Sequence, residues 1–211
     1  MNHISSGELK TLFAVIADTF RDNCAYLCEI DAQMGDGDLG LTMKKGFAAA
    51  AETIEAMEEP AIGRQLMQAG MKMASAVPST MGTLMASGLM SAGKAVGAQQ
   101  VLDAGGYVQF LNGFCDGIVR RGKCAPGDRT ILDAIEPAKQ AAAAKYAGGA
   151  SLPDVAEAAL QGAQHGAEAT RQMRPRFGKA AVFAAKAAGV ADQGAIAGML
   201  LLRAICTFVC A

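Results

Sequence analysis

Residues Asp31 to Met43, DAQMGDGDLGLTM, decide how the chain is interpreted. The stretch contains three glycines with the spacing G-x-G-x-x-G of a dinucleotide-binding turn: Gly35, Gly37 and Gly40. It also contains three carboxylates close together: Asp31, Asp36 and Asp38. A dinucleotide turn presents bare backbone N–H groups to a pyrophosphate, and carboxylates beside that turn would repel the ligand. The secondary structure predicted on either side of this stretch therefore distinguishes a dinucleotide turn from an acidic site.

The segments on both sides of this stretch have the periodicity of helices. Before it, apolar residues recur at steps of three and four, as in an amphipathic helix: Leu9, Phe13, Ile16, Phe20, Cys24 and Leu27. Ser5 and Glu8 form a predicted capping box ahead of this helix. The same procedure predicts seven further helices, at about 41–57, 61–76, 82–96, 101–120, 130–147, 152–173 and 193–209. No succession of alternating β-branched runs could build a parallel sheet, so the predicted fold class is all-α.

This helical pattern argues against both nucleotide motifs that rely on glycine spacing. A dinucleotide turn is meaningful where a strand leads into it within a βαβ unit, whereas a helix and a loop precede Gly35. The segment Gly88 to Ala95, GLMSAGKA, resembles the start of a P-loop, but Ala95 stands where a magnesium-binding Ser or Thr is needed. It also lies inside a predicted helix. We interpret both spacings as coincidental.

Composition narrows the class of protein. A chain of 211 residues without an internal linker is expected to form one domain, residues 1–211. Charged residues make up 18% of the chain and the net charge is -1, which argues against a nucleic-acid partner. The six cysteines include no CxxC pair, and the chain shows no secretion signal. We therefore interpret the cysteines as small buried hydrophobic residues and not as disulfide partners.

Membrane and secretion signals are weak. The apolar segment Ala180 to Ala211 is interrupted by three charged residues, which argues against a membrane span: Lys186, Asp192 and Arg203. The first ten residues, MNHISSGELK, lack the apolar region of a signal peptide. We therefore expect a cytoplasmic protein.

The three aspartates of the opening stretch predict a cation site. Carboxylates this close repel one another unless a positive charge neutralises them, and oxygen ligands favour Mg²⁺ or Ca²⁺. An EF-hand loop is excluded, because it would need glycine at position 36 and glutamate at position 42, where the chain has Asp36 and Thr42. Magnesium with substrate phosphates is the favoured interpretation. The alternative is a solvated acidic turn that caps the helix from Leu41.

Four motifs of the chain resemble those of one family, in the same order. The family comprises the ADP-binding L subunit of dihydroxyacetone kinase and the equivalent C-terminal nucleotide domain of single-chain dihydroxyacetone kinases. DAQMGDGDLGLTM is similar to its D-x-x-x-G-D-G/A-D-H-G-x-N-M, and RGKCAPGDRT at Arg121 to Thr130 to its R-G-K-x-x-P-G-D-K-T. Two motifs are more degraded: VPSTMGTL at Val77 to Leu84 against V-G-G-x-S-G-P-L, and GKAAVFAAKAAGVADQGA at Gly178 to Ala195 against G-R-A-S-Y-L-G-E-R-S-I-G-H-x-D-P-G-A.

The resemblance implies an antiparallel eight-helix barrel, or bundle, with ADP or ATP and two Mg²⁺ ions bound by loops at one end. It implies that the metal ligands are Asp31, Asp36 and Asp38. It implies that the nucleotide lies along eleven further residues: Leu39, Gly40, Leu41, Thr42, Thr80, Met81, Gly122, Ile131, Lys179, Asp192 and Gly194. No residue of the chain looks like a substrate nucleophile or base, which fits a domain that supplies only the phosphoryl donor, so none is assigned a catalytic role.

The implied activity is phosphoryl transfer to a ketose held by a separate K subunit, in glycerol metabolism. Dihydroxyacetone and erythrulose are both candidates for the ketose. Stand-alone L subunits have their ADP recharged by a protein of the sugar phosphotransferase system, whereas other members use ATP directly. The resemblance leaves a homodimer open.

Several departures from the family pattern favour a second interpretation. Leu39 replaces a histidine and Met81 replaces a serine. Four further replacements occur beside the implied phosphate site: Thr42 for asparagine, Lys179 and Lys186 for arginine, and Gln193 for proline. Each lost charge-assisted hydrogen bond to a phosphate would be worth about 1.5–3 kcal/mol. The alternative function is therefore a catalytically weakened protein that binds nucleotide and recognises or regulates a partner.

Overall fold

The structure is a computed structural model that describes residues 1–177, 181 and 188–211. Within these residues the chain forms nine α-helices: α1 (Glu8–Asp22), α2 (Cys24–Ala32), α3 (Leu39–Glu55), α4 (Ile62–Ala76), α5 (Thr80–Val96), α6 (Ala104–Gly122), α7 (Leu132–Ala147), α8 (Leu152–Ala169) and α9 (Gln193–Cys210). A 3-10 turn, Thr170–Gln172, follows α8. Two short strands, β1 (Ile4–Ser5) and β2 (Val101–Leu102), pair antiparallel with Ile4 opposite Leu102. The predicted all-α class is confirmed.

Eight of the described helices pack side by side in a closed ring. Their order is α1, α3, α4, α5, α6, α7, α8 and α9, and α9 returns to contact α1. The short helix α2 packs against α3 and α9 beside this ring. The first turns of every second helix, α3, α5, α7 and α9, open onto one cavity, so neighbouring helices in the ring run antiparallel. This arrangement is the antiparallel eight-helix barrel that the family resemblance implied.

Aromatic and aliphatic side chains fill the inside of the ring. Phe20 of α1 and Phe47 of α3 stack with their ring centroids 4.4 Å apart, and both rings are buried. The interior leaves a cavity of about 20 Å³ lined by apolar side chains together with Tyr107, which has room for little more than one water molecule. The barrel interior is therefore a packed core, and the space for a ligand lies at the end of the barrel.

Helices α7 and α8 approach each other closely at Pro137, which lacks a backbone N–H, and at Gly166, which lacks a side chain. Pro137 has no N–H to donate to the carbonyl of Asp133, one turn earlier in α7. Gly166 of α8 lies against this carbonyl, and a Cβ at position 166 would be 2.0 Å from the Asp133 oxygen. The contact fixes the first turn of α7, which lies at the cavity.

The structure differs from the sequence prediction in the first helix and in the segment after α5. The predicted first helix is two helices, because Asn23 ends α1: both its backbone N–H and its side-chain amide donate to the carbonyl of Thr19. Val101 was predicted to begin a helix but lies in β2, and α6 starts three residues later with Asp103 as its N-cap. The reciprocal hydrogen bonds expected between Ser5 and Glu8 are present, at 2.7 and 3.3 Å, but Ser5 lies in β1 and the N-cap of α1 is Gly7.

Helix α9 is long and apolar enough to cross a membrane by length and composition, but 72% of it is buried inside the fold. A core helix of a globular protein has the same composition, so this helix is weak evidence for a span. The six cysteines are free thiols, of which Cys115, Cys124 and Cys206 are buried. Cys24 and Cys28 are partly buried and Cys210 is exposed, so the prediction of buried cysteines is right for three of the six.

Candidate functional site

A cavity of about 500 Å³ opens at the end of the barrel where four helices begin. It is formed by the loop between α2 and α3, the first turns of α3 and α5, the loop before α7 and the segment around α9's first turn. The lining residues are Asp31, Gly35, Asp36, Asp38, Leu39, Thr42, Pro78, Ser79, Thr80, Met81, Leu84, Arg129, Thr130, Ile131, Phe177, Asp192, Gln193 and Gly194. The cavity therefore brings together residues from all four sequence motifs, of which the last is only partly described.

Three carboxylates converge on this cavity. Asp31 lies in the last turn of α2 and is 6% exposed, whereas Asp36 and Asp38 lie in the following loop and are exposed. One oxygen from each of the three lies within 4.8 Å of the others. Such a set of oxygen ligands fits a hard divalent cation, and its open side toward the cavity fits Mg²⁺ that completes its shell with water and phosphate oxygens.

Asp31 also organises the loop itself. Its Oδ2 accepts hydrogen bonds from the backbone N–H groups of Gly37, Asp38 and Leu39, at 2.9, 3.1 and 3.3 Å. Because these groups lead into α3, Asp31 caps that helix. The alternative of an acidic capping turn is thus right about the capping, but the capping carboxylate is buried and not solvated, and the helix begins at Leu39 and not at Leu41. Asp36 and Asp38 lie on the cavity side of the same loop, so the capping role and a cation site are compatible.

Each glycine of the G-x-G-x-x-G spacing has a structural reason of its own. A Cβ at Gly35 would lie 2.3 Å from Oδ1 of Asp31, and a Cβ at Gly40 would lie 1.9 Å from the carbonyl oxygen of Cys24. Gly37 adopts φ +76°, which glycine reaches without strain. The three glycines let the loop close around the carboxylates, and the resemblance to a dinucleotide turn is coincidental, as the sequence predicted.

Helix N-termini form another part of the cavity wall. The first backbone N–H groups of a helix have no acceptor inside the helix, and the helix dipole makes this end positive. Ser79 caps α5 by accepting from the N–H of Gly82 at 3.0 Å, and Asp192 caps α9 by accepting from the N–H of Ala195 at 2.8 Å. Four such N-termini around one cavity form an environment that favours phosphate oxygens.

Most of the predicted site residues meet in this cavity. Of the predicted nucleotide residues, those that line it are Leu39, Thr42, Thr80, Met81, Ile131, Asp192 and Gly194. Gly40 is buried against α2, Leu41 is 59% exposed, and Gly122 ends α6 beside Leu84, so none of these three is part of the lining. Lys179 and Lys186 lie outside the described residues.

Arg129 is a cavity residue that the sequence analysis did not single out. It is 3% exposed and adopts φ +61°, which is uncommon for a residue with a Cβ. Its Nε donates to the carbonyl of Thr170 at 3.2 Å, and one terminal nitrogen donates to the carbonyl of Val190 at 2.8 Å. Both terminal nitrogens lie 3.6 Å from the sulfur of Met34. Arg129 thus connects the acidic loop, the end of α8 and the segment that leads into α9.

The loop that carries Arg129 is fixed by two buried carboxylates. Asp133 accepts from the N–H of Thr130 at 2.7 Å and of Gly127 at 2.5 Å. Asp128 accepts from the N–H of Ala125 at 2.8 Å. In the sequence, this loop belongs to the third motif, in which Arg129 occupies the position of a family lysine. The motif does not indicate which segments of the chain the Arg129 side chain contacts.

Asp192 is the third buried acid of this region. Burial raises the pKa of its carboxyl to about 6, while the hydrogen bond from Ala195 and the guanidinium of Arg129 act in the opposite direction. The pKa of Arg129 is lowered by burial and partly restored by Asp192. Each of the two groups therefore stabilises the charged form of the other and offsets part of the cost of burying it.

We expect Arg129→Ala to lower the free energy of unfolding by about 3–5 kcal/mol, because it leaves the buried Asp192 carboxylate without its cation. Urea unfolding followed by circular dichroism measures the difference. Lys123→Ala is the matched control, since Lys123 also has positive φ, 51°, but is exposed and lies outside the cavity lining. Equal losses in the two variants would show that Arg129 is not a structural connector.

Asp192 also predicts a pH dependence of stability. Its folded pKa lies above the ordinary value of 3.8, so between about pH 4 and about pH 6 the folded protein binds more protons than the unfolded chain. Stability relative to Asp192→Asn should therefore fall as the pH rises through this window, by on the order of 3 kcal/mol in total. Urea unfolding of both proteins across the window measures it. Asp103→Asn is the matched control, since it makes the same change at the exposed cap of α6. The prediction would be contradicted if the difference in unfolding free energy between the wild type and Asp192→Asn stayed constant from about pH 4 to about pH 6.

Comparison with known proteins places this chain in a family. Residues 33–207 match the model of the DAK2 domain. The chain is 31% identical over 200 residues to the ADP-binding subunit of the PEP-dependent dihydroxyacetone kinase of Escherichia coli K12, covering 95% of both proteins. It is 34% identical over 185 residues to an L-erythrulose kinase of Pectobacterium atrosepticum, covering 87% of this chain and 31% of that protein. The chain thus spans about a third of the erythrulose kinase.

Solved structures agree with the fold. The crystal structure of the dihydroxyacetone kinase of C. freundii superimposes with a TM-score of 0.74 at 24% identity, over 95% of this chain and 34% of that one. The same kinase in complex with AMP-PNP and Mg²⁺ superimposes with the same TM-score of 0.74. At this identity the structural likeness shows the fold alone, and the family follows from the domain match and the Escherichia coli relative. The chain therefore belongs to the DAK2 domain family, together with the ADP-binding subunits of dihydroxyacetone kinases.

Proposed function

We propose that residues 1–211 form one nucleotide-binding domain that acts as the phosphotransferase subunit of a kinase for dihydroxyacetone or a related short ketose. The domain holds ADP or ATP with two Mg²⁺ ions and transfers the phosphoryl group to a ketose bound on a partner K subunit. The carrying observation is the convergence of three carboxylates and four helix N-termini on one cavity. The names of the relatives, kinases and an ADP-binding kinase subunit, support the same activity.

In this proposal the acidic loop binds the metal and the helix N-termini bind the phosphates. Asp36 and Asp38 offer oxygens toward the cavity, while Asp31 offers a carboxylate oxygen to the same cluster and keeps the loop in place through the hydrogen bonds to its Oδ2. Bound Mg²⁺ supplies neutralisation of the phosphate charge during transfer. The N-terminal turns of α3 and α5, with the hydroxyls of Thr42 and Thr80, orient the phosphate chain.

The cavity holds a phosphoryl donor but lacks groups suited to activate an acceptor. Among its described lining residues there is no histidine, cysteine or lysine, and its one aspartate outside the acidic loop, Asp192, is a buried helix cap. Deprotonation of a ketose hydroxyl would therefore fall to the partner that binds the ketose. A phosphoryl donor protein of the phosphotransferase system could reload ADP through the same open side of the cavity.

A second candidate function rests on two apolar side chains in the cavity wall. Leu39 and Met81 occupy positions where the family pattern has a histidine and a serine, and both line the cavity. Without those hydrogen-bond donors the domain could bind nucleotide and recognise a partner without transferring a phosphoryl group. The two functions make opposite predictions in the presence of a K subunit.

The deciding experiment mixes the purified chain with a K subunit from its own source organism, Mg²⁺, a short ketose and either ATP or a reconstituted phosphotransferase system. We expect ketose phosphate to form with one of the two donors, detected by mass spectrometry or ³¹P NMR. Omission of the chain is the control. A stable complex with the K subunit and no product with either donor would support the regulatory function instead.

We expect Asp36→Asn to reduce Mg²⁺-dependent ADP binding by at least about 100-fold, because it removes one carboxylate ligand from a hard cation. Isothermal titration calorimetry measures the affinity, and circular dichroism checks that the helices remain. Glu29→Gln is the matched control, since Glu29 is exposed on α2 near the loop and lies outside the cavity lining. Retained ADP affinity in folded Asp36→Asn would contradict the assigned metal site.

A further inference from the structure

Phe177 is an aromatic residue in an unusual place. It lines the cavity and is 45% exposed, although an exposed aromatic ring is costly in water. Among the described lining residues it is the one aromatic side chain. Its position in the sequence suggests no role, because it lies directly before the fourth motif, which begins at Gly178.

The neighbouring residue fixes the main chain at this point. The backbone N–H of Arg176 donates to the carbonyl of Asp128 at 3.2 Å, and its guanidinium forms an ion pair with the Asp128 carboxylate at 3.1 Å. Asp128 is 5% exposed and belongs to the loop that leads through Thr130 and Ile131 into α7. Phe177 is therefore attached beside the cavity wall that this loop provides.

The cavity has a polar part and an apolar part. The carboxylates and helix N-termini suit a metal and a phosphate chain, whereas four other lining residues present carbon: Pro78, Met81, Leu84 and Ile131. A nucleotide has the same division, with a charged tail and a flat base whose faces are apolar. An exposed ring in a cavity with these walls is suited to stack on that base.

We propose that Phe177 stacks on the base of the bound nucleotide and is a determinant of nucleotide affinity in this chain. The inference rests on the proposed nucleotide-binding function and adds a residue to it. Stacking engages the π-face that every base has, so the contribution should be similar for adenine and guanine nucleotides. It should be absent for a ligand that has phosphates and no base.

The test is isothermal titration calorimetry of wild-type protein, Phe177→Ala and Phe177→Tyr with ADP, GDP and pyrophosphate, each with excess Mg²⁺. Phe177→Ala should weaken the binding of ADP and of GDP about 10-fold or more, because a stacked base contributes about that factor to affinity. The affinity for pyrophosphate should not change. Phe177→Tyr keeps the ring and should bind ADP like the wild type. Tyr146→Ala removes a ring that is 46% exposed and lies outside the cavity lining, and should change nothing.

The possible results separate this inference from the function on which it rests. Wild-type protein that binds neither ADP nor pyrophosphate would contradict the proposed function. Wild-type protein that binds ADP equally well after Phe177→Ala would overturn the stacking role alone. Equal weakening of ADP and pyrophosphate would also overturn it, because Phe177 would then support the cavity as a whole. Loss of K-subunit binding with unchanged ADP affinity would identify Phe177 as a docking residue for the partner instead.

Discussion

The structure of this site depends on opposite charges placed at one end of a helical barrel. Three carboxylates with oxygens within 4.8 Å repel one another, and the fold reduces that repulsion by directing three backbone N–H groups at Asp31. The positive ends of four helices surround the remaining negative charge. An antiparallel ring produces this arrangement directly, because every second helix begins at the same end. A cation that binds the acids and an anion that binds the helix ends are then complementary to the same cavity and to each other.

The periodicity of the sequence was sufficient to predict most of the helices. Apolar residues recur at steps of three and four between breaks at glycine and proline, and the predicted boundaries differ from α3, α5 and α9 by two residues or fewer. The closure of these helices into an antiparallel barrel was implied by the family resemblance and not by their periodicity. The break at Asn23 was missed, because a local hydrogen bond from its side chain to Thr19 competes with a helical pattern that continues on both sides. Strand β2 was missed for a related reason, since its two residues gain their partner from β1, about a hundred positions away.

The site was predictable where its residues are adjacent in the chain and less so where they meet through the fold. Asp31, Asp36 and Asp38 lie within one loop, so their proximity followed from the sequence. The contacts of Arg129 with Met34, Thr170 and Val190 span up to 95 positions and depend on a left-handed backbone that no sequence pattern indicates. Gly40 was assigned to the nucleotide by family resemblance, yet its described environment is the carbonyl of Cys24, so its absence of a side chain has a packing reason. The nucleotide contacts themselves stay predictions.

The way this cavity is built also explains which positions can vary without loss of the proposed function. Where recognition comes from backbone N–H groups at a helix start, the side chain at that position is free to change, so Leu39 and Met81 are compatible with the proposed phosphate site although they replace polar residues. The acidic loop has no such freedom. Gly35 borders a carboxylate oxygen, Gly37 needs its positive φ, and each acid contributes an oxygen of its own. The described departures of this chain from the family pattern, at Leu39, Thr42, Met81 and Gln193, fall on the first turns of α3, α5 and α9 and spare the three aspartates and three glycines of the loop. This is the distribution expected if metal and nucleotide binding are retained while the surroundings of the transferred group have changed.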